Sequence, residues 1–485
     1  MAKFLRRLIK HWRVAFSKTV NIYIKENGED DFFIRLWQWA IKIFPKSAFI
    51  HHSMGHAYEL LGRYNEAIAV FQRAIEFDPK GARHYNCLGK VYYAQGHYEE
   101  AITKYKQAIE LNPKEATIYN RLGNVYYKRG CDEDAIIAYE QAIELNPKFA
   151  QPYLGIGSVY YDQRRYEEAI QVARKAIELD PKDAYPYHSL GHAYEAIEHY
   201  DKAIAAFQKA VELDPKQARY YNCLGKVCRN SGQYDKAIQG YNRAIEIDPN
   251  HALPYIGQGY VYELQGNLDT AIANYHKAQT LAHQQNRPDL EVEARRRLGI
   301  TFLRRADIET DQRQVHLAEA IHAFKQTLDL LNTLSTKLLR LARLHYQLGY
   351  CYHRLDRWQA AKEQLLAARQ IFTDHKIRPE LARTLLELGQ LYHEYQEFED
   401  AYAHLKDALR LFQKLADEPG QAATQEALGN LLLQAGQVKN ATPYLEAARR
   451  YYLDHHHAGR IEEVDELLDI AHEAQEQRAM LEAIA

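Results

Sequence analysis

The sequence predicts an all-α fold, a right-handed superhelical solenoid of stacked helix-turn-helix units. Three observations carry that expectation. Prolines fall at Pro45, Pro79, Pro113, Pro147, Pro181, Pro215 and Pro249, a constant step of 34 residues, and a fixed period of that size marks a stacked array rather than separate globules. Glycines stand in one register with them, at Gly55, Gly89, Gly123, Gly157, Gly191, Gly225 and Gly259. The chain is 47% hydrophobic, with only 14 prolines and 24 glycines in 485 residues, so it can bury a large core and is not dominated by linkers.

The first twenty residues hold six basic side chains, Lys3, Arg6, Arg7, Lys10, Arg13 and Lys18, and no acidic one. Phe4, Leu8, Trp12 and Phe16 recur every four residues, so one helix face is apolar and the other cationic. Two readings follow: an interfacial helix on an anionic membrane or an acidic partner, or a cap docking on Phe32, Trp37 and Trp39. Residues 31–45 read as the second helix of a degenerate unit, which makes 1–47 one segment.

Seven units follow over 48–285, opening three residues after each proline. In the first helix of each, the in-register glycine costs about 1 kcal/mol relative to alanine, and close approach of the paired helix is the compensation. The second helix repeats Ala67, Phe71, Ala74, then Ala101, Tyr105, Ala108, then Ala135, Tyr139, Ala142, a spacing of four and three that keeps them on one face. Asp78-Pro79 and Asn112-Pro113 end the units, because the residue before proline is driven out of the helical region.

At these residues the chain resembles the tetratricopeptide repeat family, whose pattern of Leu-Gly, Tyr, Ala, Phe or Tyr, Ala and Pro it repeats. The resemblance continues with a longer period: Gly349, Gly389 and Gly429 are 40 apart, each followed twelve residues later by an alanine, Ala361, Ala401 and Ala441. That spacing is similar to the longer units of kinesin light chain and Pins-type adaptors. With a degenerate unit around Gly299 and Phe324 it gives four longer units over 286–455. The stretch 306–314 is expected to be an inserted loop. Residues 456–485 read as an acidic capping helix, needed because the last unit has no neighbour. The opposite charges of the two ends also allow head-to-tail self-association.

Two segments recur 136 residues apart. HSMGHAYE at 52–59 returns as HSLGHAYE at 188–195, and YNCLGKV at 85–91 returns at 221–227. Residues three before and one after each glycine are expected to face the concave groove: His52, His56, Asn86, Lys90, Asn120, Asn124, His188, His192, Asn222 and Lys226. The resemblance implies that such asparagines clamp the backbone of an extended peptide. The histidine pairs, four apart, suit two ligands on one metal, but no third ligand is evident in the sequence. They are therefore expected to be solvated, with no metal and no cofactor, and Cys87 and Cys223 to be buried small residues.

Lys plus Arg is 62 against 64 Asp plus Glu, which gives no global reason to expect nucleic-acid binding. Five cysteines without paired spacing fit a reducing compartment. With no apolar run of transmembrane length and no secretory leader, cytoplasm is the expected location, peripheral to a membrane if residues 1–20 bind one. No phosphate loop, nucleophile elbow or isolated carboxylate pair is present, so no catalysis is expected. The leading reading is a non-enzymatic scaffold that holds a peptide or helix of a partner protein. The alternatives are a membrane-peripheral assembly factor attached through the basic helix, and the sensor subunit of a regulatory system.

Overall fold

The computed structural model describes residues 30–334 and 338–484. The basic segment expected to cap the array or meet a membrane, with Phe4, Arg6, Arg7, Leu8, Lys10, Trp12, Arg13 and Phe16, lies outside the described residues, as does the side chain of Phe32. Among the described residues there are twenty-four α-helices, one short 3₁₀ turn and no strand. First helices of the 34-residue units begin at Ala48, Ala82, Ala116, Ala150, Ala184, Ala218 and Ala252, in the register set by the prolines. The helices form two compact units, one ending at Gln233 and the other beginning at Tyr234.

Local chemistry fixes where the helices stop. The second helix Tyr64–Phe77 ends at Asp78, held extended at φ −141° and ψ 75°, as the following proline requires. The turn inside each unit closes on one left-handed residue, Gly62 with φ 70° in the first and Gly130 with φ 80° in the third. The fourth and fifth units use Arg164 and Glu198 there, at φ 61° and 59°, a strained choice for a residue with a Cβ.

In the first compact unit the glycine register is a set of packing notches. A Cβ on Gly55 would lie 2.6 Å from the Phe71 ring, one on Gly123 2.6 Å from Tyr139, and one on Gly191 2.7 Å from Phe207. Each aromatic is fully buried, so the ring of the second helix plugs the glycine of the first. Replacing Gly123 by leucine forces that ring away and is expected to cost about 1–3 kcal/mol. A denaturant titration showing no loss of stability would mean that the notch is not what the glycine supplies. Upstream, helix Asp30–Ile43 buries Ile34 and sets Trp37 and Ile41 against Met54, Tyr58 and Phe71 of the first repeat.

The second compact unit keeps the architecture with longer helices, such as Arg378–Glu394 and Phe398–Leu415. Here leucine is the plug: a Cβ on Gly349, Gly389 or Gly429 would meet Leu365, Leu405 or Leu445 at 2.5–2.6 Å. Residues 306–314 are not the inserted loop that the sequence suggests. Helix Pro288–Ile308 takes in the first three of them, a 3₁₀ turn spans Thr310–Gln312, and the next helix starts at Arg313. Ala306 is buried and Glu309 takes hydrogen bonds from Arg305 and His316, so the exposed polar residues belong to helix ends and a tight turn between them. The final helix, Ala458–Ile484, buries Val464, Leu468 and Ala471 and covers Leu445, Ala448 and Tyr452.

Candidate functional site

Within the first compact unit, neighbouring first helices Ala82–Ala94, Ala116–Arg129, Ala150–Asp162 and Ala184–Ala196 touch one another. That side of the array is the more tightly drawn, and it is the inner face. A cavity of about 250 Å³ opens on it at the fourth repeat, lined among others by Tyr127, Gly157, Tyr161, Ala173, Tyr185 and His188. Its origin is a missing plug. Ala173 stands where the other 34-residue repeats carry Phe or Tyr, so a Cβ on Gly157 would meet no ring, only Val172 at 3.1 Å and the Ala169 carbonyl at 3.9 Å. Tyr161 and Tyr185 stand at this cavity 37% and 40% exposed, so the space is reachable from solvent. The phenol of Tyr127 donates to Asp162 at 2.7 Å, tying the third repeat to the fourth beside it.

The predicted groove residues fall into three groups. Lys90 and Lys226 are exposed and reach back one repeat to Glu59 and Glu195, at 2.6 and 3.2 Å. The asparagines are half-buried and partly engaged in the fold. Arg121 donates to Asn86 at 2.9 Å and the Tyr139 phenol to Asn124 at 2.8 Å. Asn120 Oδ1 is buried without a hydrogen-bond partner, and Asn222 is half-buried between its neighbours. The amides thus form no free ladder; where an oxygen is taken by the fold, the NH₂ group remains to donate.

The histidines depart furthest from expectation, since His52 and His188 are not solvated. His188 is buried and His52 largely so, because the plug ring of each repeat packs edge-on against both members of its pair: Phe71 against His52 and His56, Phe207 against His188 and His192. Burial, with His56 and His84 beside it, pushes His52 down to about 2. Burial, then His192 and Arg219, pushes His188 down to about 3. Both are neutral imidazoles at neutral pH. For His56 burial opposes the charge, but hydrogen bonds with Cys87 and Glu59 outweigh it and hold the ring up at about 9.

The partner the sequence did not reveal is the cysteine of the next repeat. Cys223 Sγ lies 3.5 Å from His188 Nε2 and 3.6 Å from His192 Nε2, and those two nitrogens are 3.1 Å apart. Cys87 Sγ lies 3.5 Å from His56 Nε2, and His52, His56 and Cys87 each present a ligand atom within 4.8 Å of the others. Burial pushes the Cys223 thiol up to about 11. These cysteines sit inside the repeated YNCLGKV segment, so the signal was present as a shared residue, while its convergence on the histidines depends on how one repeat stacks on the next. The gap at Ala173 was likewise readable as a break in the aromatic column.

A family model described as the C-terminal domain of cilia and flagella-associated protein 70 matches residues 47–247, and two tetratricopeptide repeat models match residues 241–273 and 380–454. The chain belongs to the tetratricopeptide repeat family, a fold whose members bind protein or peptide partners. Among solved structures it is similar to MamA, at 31% identity over 34% of this chain and 96% of that one, with a TM-score of 0.32. It is also similar to YrrB, described as a tetratricopeptide repeat protein with an unusual peptide-binding site, at 28% identity over 36% of this chain and 91% of that one, TM-score 0.31. A repeat protein from Parabacteroides merdae matches 51% of this chain and 98% of its own at 18% identity, TM-score 0.42. No curated protein matches the chain. Among the described residues no helix is long and apolar enough to cross a membrane.

Proposed function

We propose that the chain is a non-enzymatic interaction scaffold whose first compact unit holds an extended segment of a partner protein along its first helices. The partner inserts one apolar or aromatic side chain into the cavity of the fourth repeat. The observation that carries this reading is the gap between Gly157 and Ala173, an empty plug position opening on the inner face. At about 250 Å³ it is smaller than the roughly 300–1,000 Å³ of small-molecule and cofactor sites, and it suits a single side chain. Exposed Tyr161 and Tyr185 offer rigid amphipathic contact at its edge. The amide groups of Asn86 and Asn124, in the two repeats before it, supply donors for backbone carbonyls.

Filling the gap tests the reading. In Ala173→Phe the new ring takes the place that Phe71 or Phe207 takes in its own repeat, so the protein is expected to keep its helicity and to lose no stability. Binding should fall instead. Burial of one large apolar side chain is worth about 1.5–3 kcal/mol, so peptides enriched on the native chain from a phage-displayed random library should bind the variant about ten- to a hundred-fold more weakly. Equal binding to both proteins would place the peptide site elsewhere.

A further inference from the structure

The duplicated His-His-Cys clusters enter the peptide reading only through His188 and His192, which line its cavity. Each joins two consecutive repeats. The first helix of one repeat supplies two histidines four residues apart, and the first helix of the next supplies a cysteine, giving His52, His56 and Cys87 in one copy and His188, His192 and Cys223 in the other. Bonds of about 2.0–2.1 Å to imidazole and about 2.3 Å to thiolate place the ligands of a tetrahedral zinc ion about 3.3 Å apart for two nitrogens and about 3.6 Å apart for nitrogen and sulfur. The second cluster has 3.1 Å between its nitrogens and 3.5 and 3.6 Å from each to sulfur. A triangle of those dimensions needs little adjustment to take the ion.

The surroundings are those of a metal site rather than of three polar groups placed together by packing. A ligating imidazole is commonly oriented by a carboxylate on its other nitrogen. His56 Nδ1 lies 3.1 Å from Glu59 and its Nε2 faces Cys87. His192 Nδ1 lies 3.5 Å from Glu195 and its Nε2 faces His188 and Cys223. Each glutamate is fixed in turn by the lysine of the next repeat, Lys90 or Lys226. Thus histidine pair, cysteine, orienting carboxylate and lysine all recur 136 residues apart, in two places that do not touch.

We infer that the first compact unit carries two binding sites for a zinc-type divalent cation, His52–His56–Cys87 and His188–His192–Cys223, each pinning one repeat to the next. On binding, the sulfur coordinates as thiolate and both histidines as neutral rings, and the protons released, one from each thiol and the extra proton of His56 in the first site, leave to solvent. The copies differ in a fourth position. In the first, His84 Nδ1 lies 2.9 Å from His52 Nδ1, and its Nε2 is 3.1 Å from the Asp78 carboxylate; His84 stands beside the triad rather than in it, and becomes its fourth ligand by turning toward the ion. In the second, Tyr220 replaces His84, and His188 and His192 line the cavity of the fourth repeat. That site keeps an exchangeable position for water or an added donor.

The test uses the untagged full-length chain, stripped with chelator and reloaded with Zn²⁺ or Co²⁺. Two ions per chain should survive gel filtration, one for each cluster, and the Co²⁺ form should show thiolate-to-metal charge transfer. Cys87→Ser and Cys223→Ser should each remove one ion, and the double variant both, with unchanged helicity. Glu195→Gln should weaken the second site about ten- to a hundred-fold. Added imidazole should alter the Co²⁺ spectrum of Cys87→Ser, which keeps only the open site, and leave that of Cys223→Ser unchanged. Loss of all metal on gel filtration, or equal retention by the double variant, for instance through His455, His456 and His457, would overturn the assignment. A response to imidazole in neither variant would overturn the open position.

Discussion

Truncating Phe207 to alanine is expected to destabilise the first compact unit by about 3–5 kcal/mol. The ring is fully buried, fills the notch of Gly191 and packs against both His188 and His192, with centroids 5.8 and 5.1 Å away. Its loss leaves a hole that flanking helices held by their own neighbours cannot close. The variant reproduces in the fifth repeat the gap that is native to the fourth, and in doing so releases the histidine pair. Because a repeat array need not unfold in one step, the measurement is amide hydrogen exchange resolved by helix. Protection should fall most in Ala184–Ala196 and Tyr200–Leu213. A loss below about 1 kcal/mol would show that the neighbouring repeats collapse onto the space and that the ring is not a plug.

The second large effect belongs to the other compact unit and depends on pH. His353 and Glu387 are both buried, 2.6 Å apart, and the second ring nitrogen of His353 reaches Glu394 at 2.9 Å. Burial disfavours charge on the ring, but its hydrogen bonds to Glu387 and Glu394 prevail and raise it to about 9. A group whose folded pKa lies above its unfolded value contributes stability below the unfolded value and loses it as pH rises through the folded one. Stabilisation from this pair should therefore be complete below about pH 6.5 and gone above about pH 9. His353→Leu leaves Glu387 buried without its cation, at an expected cost of about 3–5 kcal/mol near pH 6, and should flatten that part of the pH profile. The difference in melting temperature between native and variant protein across pH 6–10 is the observable. A difference independent of pH would mean that the pair is neutral in the folded protein.

The two effects also show why some features are legible in the sequence and others are not. Proline and glycine act on their own backbone and on the element beside them, so a column of Asp-Pro and Leu-Gly pairs marks the start, end and partner of every helix. The positions at which first helices begin follow from that column. The same holds for the capping helix, whose apolar residues recur with the helical period. At residues 306–314 the rule fails, because solvent-exposed polar residues there continue or start helices rather than form a loop, with Glu309 accepting hydrogen bonds from Arg305 and His316 at the junction.

What the sequence determined by itself is the family, the all-α solenoid and the phase of each repeat, since these rest on local preferences repeated many times and are insensitive to any one contact. Which side chains meet across repeats was decided by the tertiary structure. His188 and Cys223 are 35 residues apart, and nothing in the preferences of either helix says that sulfur and imidazole converge; the stacking of one repeat on the next brings them there. Of the histidines expected to be solvated, His52 and His188 are withdrawn from solvent for the same reason, because Phe71 and Phe207 pack over them from the second helix. The cavity at Ala173 arises in the same way. An alanine is an ordinary helix residue, and it becomes a site only where every neighbouring repeat has a ring and the opposing residue is a glycine.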